Sequence, residues 1–320
     1  MRKRLIPLLM ALSLLSGCGS SSSLQPQDDT LTILATTYPV YLCASAVTDG
    51  LENIQVERLN TGSVSCLHDY TLSVNDMKKI ERADVIALSG VGLEEFMDDA
   101  LNTSDALVID CSQGVTLLEN LSHHHNEGDN HDHDHGHFDP HYWLDPENAA
   151  IAVNNLAQGL AAALPELRDT FTNNASTTTT LLEGWNSALE KLLWSEGEEQ
   201  GTLVSIPGLI TFHDGFQYLA HAYGIPLLES IEEEAGSEAS AQEILEITEL
   251  VKQKHIPVIF TEVNGSDATA NAIARETGCK VAQLSTIMDG PDSQLSNYFD
   301  AMMGNITAIV NGFSGEEIIH

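Results

Sequence analysis

Residues 83–110 read ADVIALSGVGLEEFMDDALNTSDALVID, and the pattern of this stretch decides the fold. Ala83 to Leu88 and Ala106 to Asp110 are apolar runs of strand length, and Leu93 to Leu101 between them is helical in composition. Two strands joined through a helix of this length imply a parallel sheet covered by helices on both faces. The same alternation extends toward the N-terminus, with strands expected at Leu31 to Thr37 and Ile54 to Leu59 and helices at Val40 to Asp49 and Val74 to Arg82. After Asp145-Pro146 comes a long helical stretch from Glu147 to about Trp194, interrupted near Pro165 and softened by Thr177 to Thr180. The alternation then resumes. Strands are expected at Leu209 to Phe212, Ile225 to Leu228, Val258 to Thr261 and Lys280 to Leu284. Helices are expected at Phe216 to Tyr223, Ala241 to Lys254, Ala268 to Thr277 and Leu295 to Val310, with Gly224 and Gly278 as helix terminators. The class is therefore α/β, with two similar lobes of parallel sheet flanked by helices. Roughly 290 of the 320 residues form the body, more than one core usually supports.

Ahead of that body lies an address. Arg2, Lys3 and Arg4 form a cationic start and Leu5 to Leu15 an apolar run of secretory-signal length, too short to span a bilayer with room to spare. The following Leu15-Ser16-Gly17-Cys18 looks like the lipobox of bacterial lipoproteins, in which the cysteine receives diacylglycerol and becomes the mature N-terminus. The expected organisation is a signal peptide at 1–17, a flexible tether at 18–30, an N-terminal lobe at 31–146, a helical segment at 147–199 and a C-terminal lobe at 200–320. The chain should thus be extracytoplasmic, on a cell surface or in a periplasm, and held to a membrane by lipid on Cys18 without crossing it.

Charge narrows the partners. Without the signal, 47 acidic residues face 10 basic ones. Such a field repels nucleic acid and gathers cations. Beyond Cys18 there are Cys43, Cys66, Cys111 and Cys279, with no Cys-x-x-Cys pair and no zinc-knuckle spacing. Export permits disulfides, and Cys43 with Cys111 is the pair expected.

Eight of the thirteen histidines fall between His123 and His141. Within the segment 122–138, His123, His124, His125, His131, His133, His135 and His137 alternate with Glu127, Asp129, Asp132 and Asp134, and from His123 to His137 there is no hydrophobic residue to build a core. Neutral imidazole is a ligand for Zn, Cu and Ni, and neighbouring carboxylates attract the ion and orient the rings. Lacking fixed geometry, this segment suits weak, plural capture. A sharper signal is the placing of three isolated histidines at strand-to-helix junctions: His68 in Cys66-Leu67-His68-Asp69-Tyr70, His141 in Asp139-Pro140-His141-Tyr142-Trp143, and His213 in Thr211-Phe212-His213-Asp214-Gly215-Phe216. Loops beyond the carboxyl ends of parallel strands gather at the ligand crevice.

These motifs carry a family resemblance across the whole body. Thr36-Thr37-Tyr38-Pro39-Val40-Tyr41, His68-Asp69-Tyr70, Ala83-Asp84-Val85 with Gly92-Leu93-Glu94-Glu95-Phe96, Asp139 to Pro146, His213 to Tyr218 and Phe260-Thr261-Glu262 stand in the order found in the solute-binding lipoproteins of zinc and manganese ABC importers. The chain resembles in particular the zinc receptors with a His-rich loop. The resemblance implies two lobes joined by one long rigid helix, here within Glu166 to Leu193, with the transported ion in the interlobe cleft. It also implies that His68, His141 and His213 bind that ion. A carboxylate at the third position is typical of manganese receptors, so His213 points to Zn2+ as the ligand, with Mn2+ less favoured. The departures are Leu67, where the family usually has proline, and the unusual Cys66. For a fourth position Asp289, Glu262 and water are all open. The implied partner is the membrane permease of an ABC importer, served by a monomeric receptor that performs no reaction.

Two other classes compete. A secreted zinc hydrolase would also use three nitrogen ligands and a base such as Glu262, but no His-Glu-x-x-His or Gly-x-Ser-x-Gly motif is present. A metal-buffering surface protein or adhesin would use the His-rich segment yet leave the ordered junction histidines without a role. Since imidazole coordinates only when neutral, binding should release protons, and affinity should fall below about pH 6.

Overall fold

The computed structural model describes residues 30–59, 67, 70–120, 137–195, 201–202, 204–232 and 240–319. Residues 1–29 with Cys18, and Cys66, His68, His123, His124, His125, His131, His133 and His135, lie outside the described residues.

The first half alternates β1 (Leu31–Ala35), α1 (Tyr38–Val47), β2 (Ile54–Arg58), α2 (Val74–Arg82), β3 (Val85–Leu88), the short α3 (Asp98–Leu101) and β4 (Leu107–Asp110). Two helices follow, α4 (Pro146–Ala163) and α5 (Arg168–Leu193), then a two-residue-per-strand hairpin of β5 (Trp194–Ser195) and β6 (Gly201–Thr202). The second half runs β7 (Leu209–His213), α6 (Gln217–Ala222), β8 (Leu227–Glu232), α7 (Ala241–Lys254), β9 (Val258–Glu262), α8 (Ala268–Thr277), β10 (Lys280–Leu284) and α9 (Ser296–Ser314).

Both larger sheets are four-stranded and parallel, ordered β2-β1-β3-β4 and β10-β9-β7-β8. Read from its β8 edge, the second repeats the topology of the first. Each therefore has a switch point, between β1 and β3 and between β7 and β9, where loops diverge to opposite faces and leave a crevice at the strand ends. The burial of these strands explains their apolar runs. Every residue of β7 and of β9 is buried, as befits central strands covered on both faces. Alternation along one strand feeds two cores: Ile33 and Ala35 of β1 face the large core shared with α1, α4 and α5, while Leu34 joins Ile80, Ile86 and Met97 on the outer face. In the second sheet Val258 and Phe260 enter the same large core and Ile259 faces the α7–α8 layer.

The helix starts are written locally. Ser73 with Asp76, and Ser240 with Glu243, form reciprocal capping boxes. Asp145 caps α4 by accepting from Glu147 N, with Pro146 in the first turn. In α5 the buried Phe171, Ala175, Thr178, Leu182, Leu189 and Leu193 form a stripe at spacings of three, four and seven residues. Twenty-six residues long, α5 extends about 39 Å at 1.5 Å per residue and packs along α4, which gives the two halves a common spine. Among the described residues no helix is long and apolar enough to cross a membrane.

Three expectations are corrected. The helix anticipated from Leu93 shrinks to a 3-10 turn at Glu95–Met97 and the single turn α3, because Glu94 folds back to accept from Ser89 N and Gly90 N. The strand anticipated at Ile225 to Leu228 is β8, shifted to Leu227–Glu232, since an edge strand tolerates its polar residues. Cys43 and Cys111, expected to pair, are free thiols buried in the core. Burial pushes Cys43 up to about 12 and Cys111 well above the ordinary thiol range, which keeps both protonated and unreactive.

Glu94 is the buried acid of the first lobe. Besides its two backbone donors it accepts from Thr36 Oγ1 at 2.5 Å. Burial outweighs these bonds and pushes the carboxyl from 4.5 up to about 7. A folded value above the unfolded one means that its contribution is complete below pH 4.5 and is lost as pH rises through 7. Stability should therefore fall by a few kcal/mol between pH 5 and pH 8 on account of this group, and Glu94→Gln should flatten that slope. Urea midpoints at the two pH values test this; parallel slopes in both proteins would contradict it.

Candidate metal centre

The site is built where the two halves meet. His213 is the last residue of β7, at the second switch point, and is 1% exposed. His141 follows Asp139-Pro140, opens the 3-10 turn Tyr142–Leu144, and is fully buried. Their Nε2 atoms stand 3.3 Å apart with the rings nearly perpendicular, at 88°.

Each ring has a carboxylate near its other nitrogen. Asp139 Oδ1 accepts from the backbone N of His141 at 2.8 Å and lies 2.8 Å from its Nδ1. Asp214 Oδ1 lies 3.4 Å from Nδ1 of His213. Both carboxylates are buried. At His141 the hydrogen-bonded carboxylate favours the proton on Nδ1 and so presents Nε2 as the coordinating nitrogen. The two Nε2 atoms are within hydrogen-bond distance at 3.3 Å, with the donor set by the tautomers, and a cation between them would take both nitrogens as ligands in place of that contact. Two imidazole nitrogens on a tetrahedral zinc, at bond lengths of about 2.0–2.1 Å, are separated by about 3.3 Å.

The surroundings hold this pair in place. Gly215 leaves room for it: a Cβ there would lie 2.8 Å from Nε2 of His213 and 3.0 Å from Cε1 of His141. The Trp143 ring packs edge-on against His141 at 5.3 Å, and its Nε1 donates to Thr286 O at 2.8 Å. Tyr298 of α9 donates to Trp143 O at 2.8 Å. Thr286 in turn donates through its hydroxyl to Glu262 Oε1.

Of the expected ligands, the structure brings His141 and His213 together; His68 lies outside the described residues. Glu262 ends β9, buried and bonded to Thr286, whereas Asp289 Oδ1 is taken by Arg58 at 3.1 Å and by Gly290 N at 2.7 Å. Both line a cavity of about 380 Å³ with Ser285, Thr286, Met288 and Gly290. Among the described residues no group of three or more His, Cys, Asp or Glu side chains is placed to hold a metal. Of the seven histidines in the segment only His137 is described, exposed on the stem where Glu119 bridges Phe138. That stem continues into Asp139, whose N donates to Leu118 O, so the segment springs from the backbone that carries His141. Asp139, Asp214 and Gly215 have roles that no local pattern declares; the signal for the two carboxylates is an acidic residue one or two positions from each junction histidine.

A family model described as the periplasmic component A of the zinc-uptake complex, ZnuA, matches residues 33–312. The zinc-binding lipoprotein AdcA of Streptococcus pneumoniae serotype 4 is 30% identical over 295 residues, which cover 90% of this chain and 57% of that protein. The chain thus spans little more than half of that relative. The high-affinity zinc uptake system protein ZnuA of Bacillus subtilis is 27% identical over 307 residues and 92% of each chain. Among solved structures, the Zn(II)-bound ZnuA-like domain of Streptococcus pneumoniae AdcA superposes with a TM-score of 0.69 at 27% identity, over 89% of this chain and 99% of that domain.

Proposed function

The chain belongs to the ZnuA family of periplasmic zinc-uptake components, and on that premise we propose that it is an extracytoplasmic receptor that binds Zn2+ between its lobes and delivers it to the permease of an ABC importer. The observation that carries this reading is the pair of buried Nε2 atoms facing each other at zinc spacing. His68 is the third ligand in this proposal. Asp289, Glu262 and water are the claimants for the fourth position. Nitrogen donors favour zinc over manganese, which prefers oxygen. The family is one of receptors, which leaves the hydrolase alternative without support.

In this account the His-rich segment gathers ions, and the lobes hold the one that is transported. Removing residues 127–137 should lower the number of zinc ions bound while one tight site persists. Isothermal titration of the shortened chain decides the matter; loss of the tight site would move the primary function to the segment and favour the metal-buffering alternative.

The anchor is proposed to be lipid on Cys18, with the receptor acting as a monomer beside its permease. Cys18→Ser should then release the protein from membranes into the aqueous phase of a detergent partition. Unchanged detergent-phase partitioning would exclude the lipid attachment.

A further inference from the structure

Outside the histidine pair, the two lobes meet at a second set of contacts centred on Arg58, the last residue of β2. Its side chain is 12% exposed. From there Nη1 donates to Gly290 O and Nη2 to Asp289 Oδ1, both at 3.1 Å. The guanidinium lies 4.6 Å above the Tyr38 ring. Tyr38 reaches the same segment: its hydroxyl donates to Asp292 O at 2.9 Å and accepts from Asn297 Nδ2 at 3.0 Å. Gly290 is pressed so closely on Tyr38 that a Cβ there would lie 2.1 Å from Cζ. Lys79 steadies the exit of β2 by donating to Arg58 O and Leu59 O.

The segment held this way contains a backbone outlier. Ile287, buried and β-branched, has φ +61°, a left-handed conformation that such residues rarely adopt. Conformations of this kind persist only where surrounding contacts impose them, and they cluster at active sites and ligand clamps. On one side Ile287 is joined to Thr286, which binds Trp143 beside His141; on the other it is joined through Met288 to Asp289 and Arg58.

We infer that Arg58 and Tyr38 form an interlobe clasp on residues 286–292 and that this clasp sets the rate at which the bound ion leaves the cleft. The inference rests on the zinc-receptor reading. An ion held by residues of both lobes leaves when the lobes part, and parting breaks the Arg58 and Tyr38 contacts. The clasp therefore slows release without touching the ion, and Arg58 is a positioning residue. Association, which begins from parted lobes, does not depend on it.

Zinc-loaded full-length chain mixed rapidly with excess fluorescent chelator gives the release rate, and mixing apo protein with zinc gives the association rate. Arg58→Met should release zinc about tenfold faster with association unchanged. Arg58→Lys should recover part of the difference, because an ammonium keeps the charge but not the fork. Tyr38→Phe, which keeps the ring and so preserves the fold, should release about threefold faster. Arg82→Met, which removes an exposed pair with Glu57, should match the wild type. Wild-type release rates in both Arg58→Met and Tyr38→Phe, or slowed association with unchanged release, would overturn the clasp. A wild-type chain that holds no zinc in this assay would instead overturn the receptor reading on which the clasp depends.

Discussion

Replacing either His141 or His213 by Ala should weaken zinc binding by roughly 100-fold or more, the largest effect expected of any single substitution. A four-ligand zinc site stabilises by about 10–16 kcal/mol in all, so one imidazole accounts for about 3 kcal/mol, and a water drawn into its place recovers little. The two variants should be alike, because the rings occupy equivalent positions on either side of one point, with Nε2 atoms 3.3 Å apart. His221 and His255 supply the contrast. Both are exposed, His221 in α6 and His255 as the left-handed C-cap of α7. Their alanine variants should bind as the wild type does. Competition against a zinc chelator across the four proteins reads the difference; equal losses at all four positions, or none at His141 and His213, would remove the ligand assignment.

Asp139→Asn should cost about 10- to 100-fold in affinity although Asp139 is no ligand in this account. Its Oδ1 lies 2.8 Å from both the ring Nδ1 and the backbone N of His141. An amide of the same shape can still accept from one of these groups, but without the charge it no longer favours the ring polarised by a bound cation. The loss should therefore appear in metal affinity with little change in urea stability of the metal-free protein. A large fall in that stability with unchanged affinity would assign Asp139 a purely structural role.

How much of this was legible in the chain depends on how local each feature is. The parallel sheets were, because β7 and β9 are buried on both faces and so carry uninterrupted apolar runs. Pro146 and Pro165 punctuated the helical stretch where α4 begins and where the turn before α5 stands. The edge strand β8 was displaced in the reading, since its Glu229, Ser230 and Glu232 carry no core signal. The β5–β6 hairpin, two residues per strand, was invisible. In the site, His141 and His213 were legible as histidines at loop junctions, while their 3.3 Å meeting depends on how two lobes face each other across 72 residues of sequence. The Arg58–Asp289 contact, between residues 231 apart, left no trace in any local pattern. It also alters the standing of Asp289, which sequence offers as a ligand and the structure joins to an arginine.

The central claim is that zinc sits between the facing nitrogens of His141 and His213. Anomalous diffraction from zinc-loaded crystals, recorded on both sides of the zinc absorption edge, tests it most directly. The account predicts one strong edge-dependent peak about 2.0–2.1 Å from both Nε2 atoms. A strong peak elsewhere, with the two imidazoles still in mutual contact and no metal between them, would contradict it.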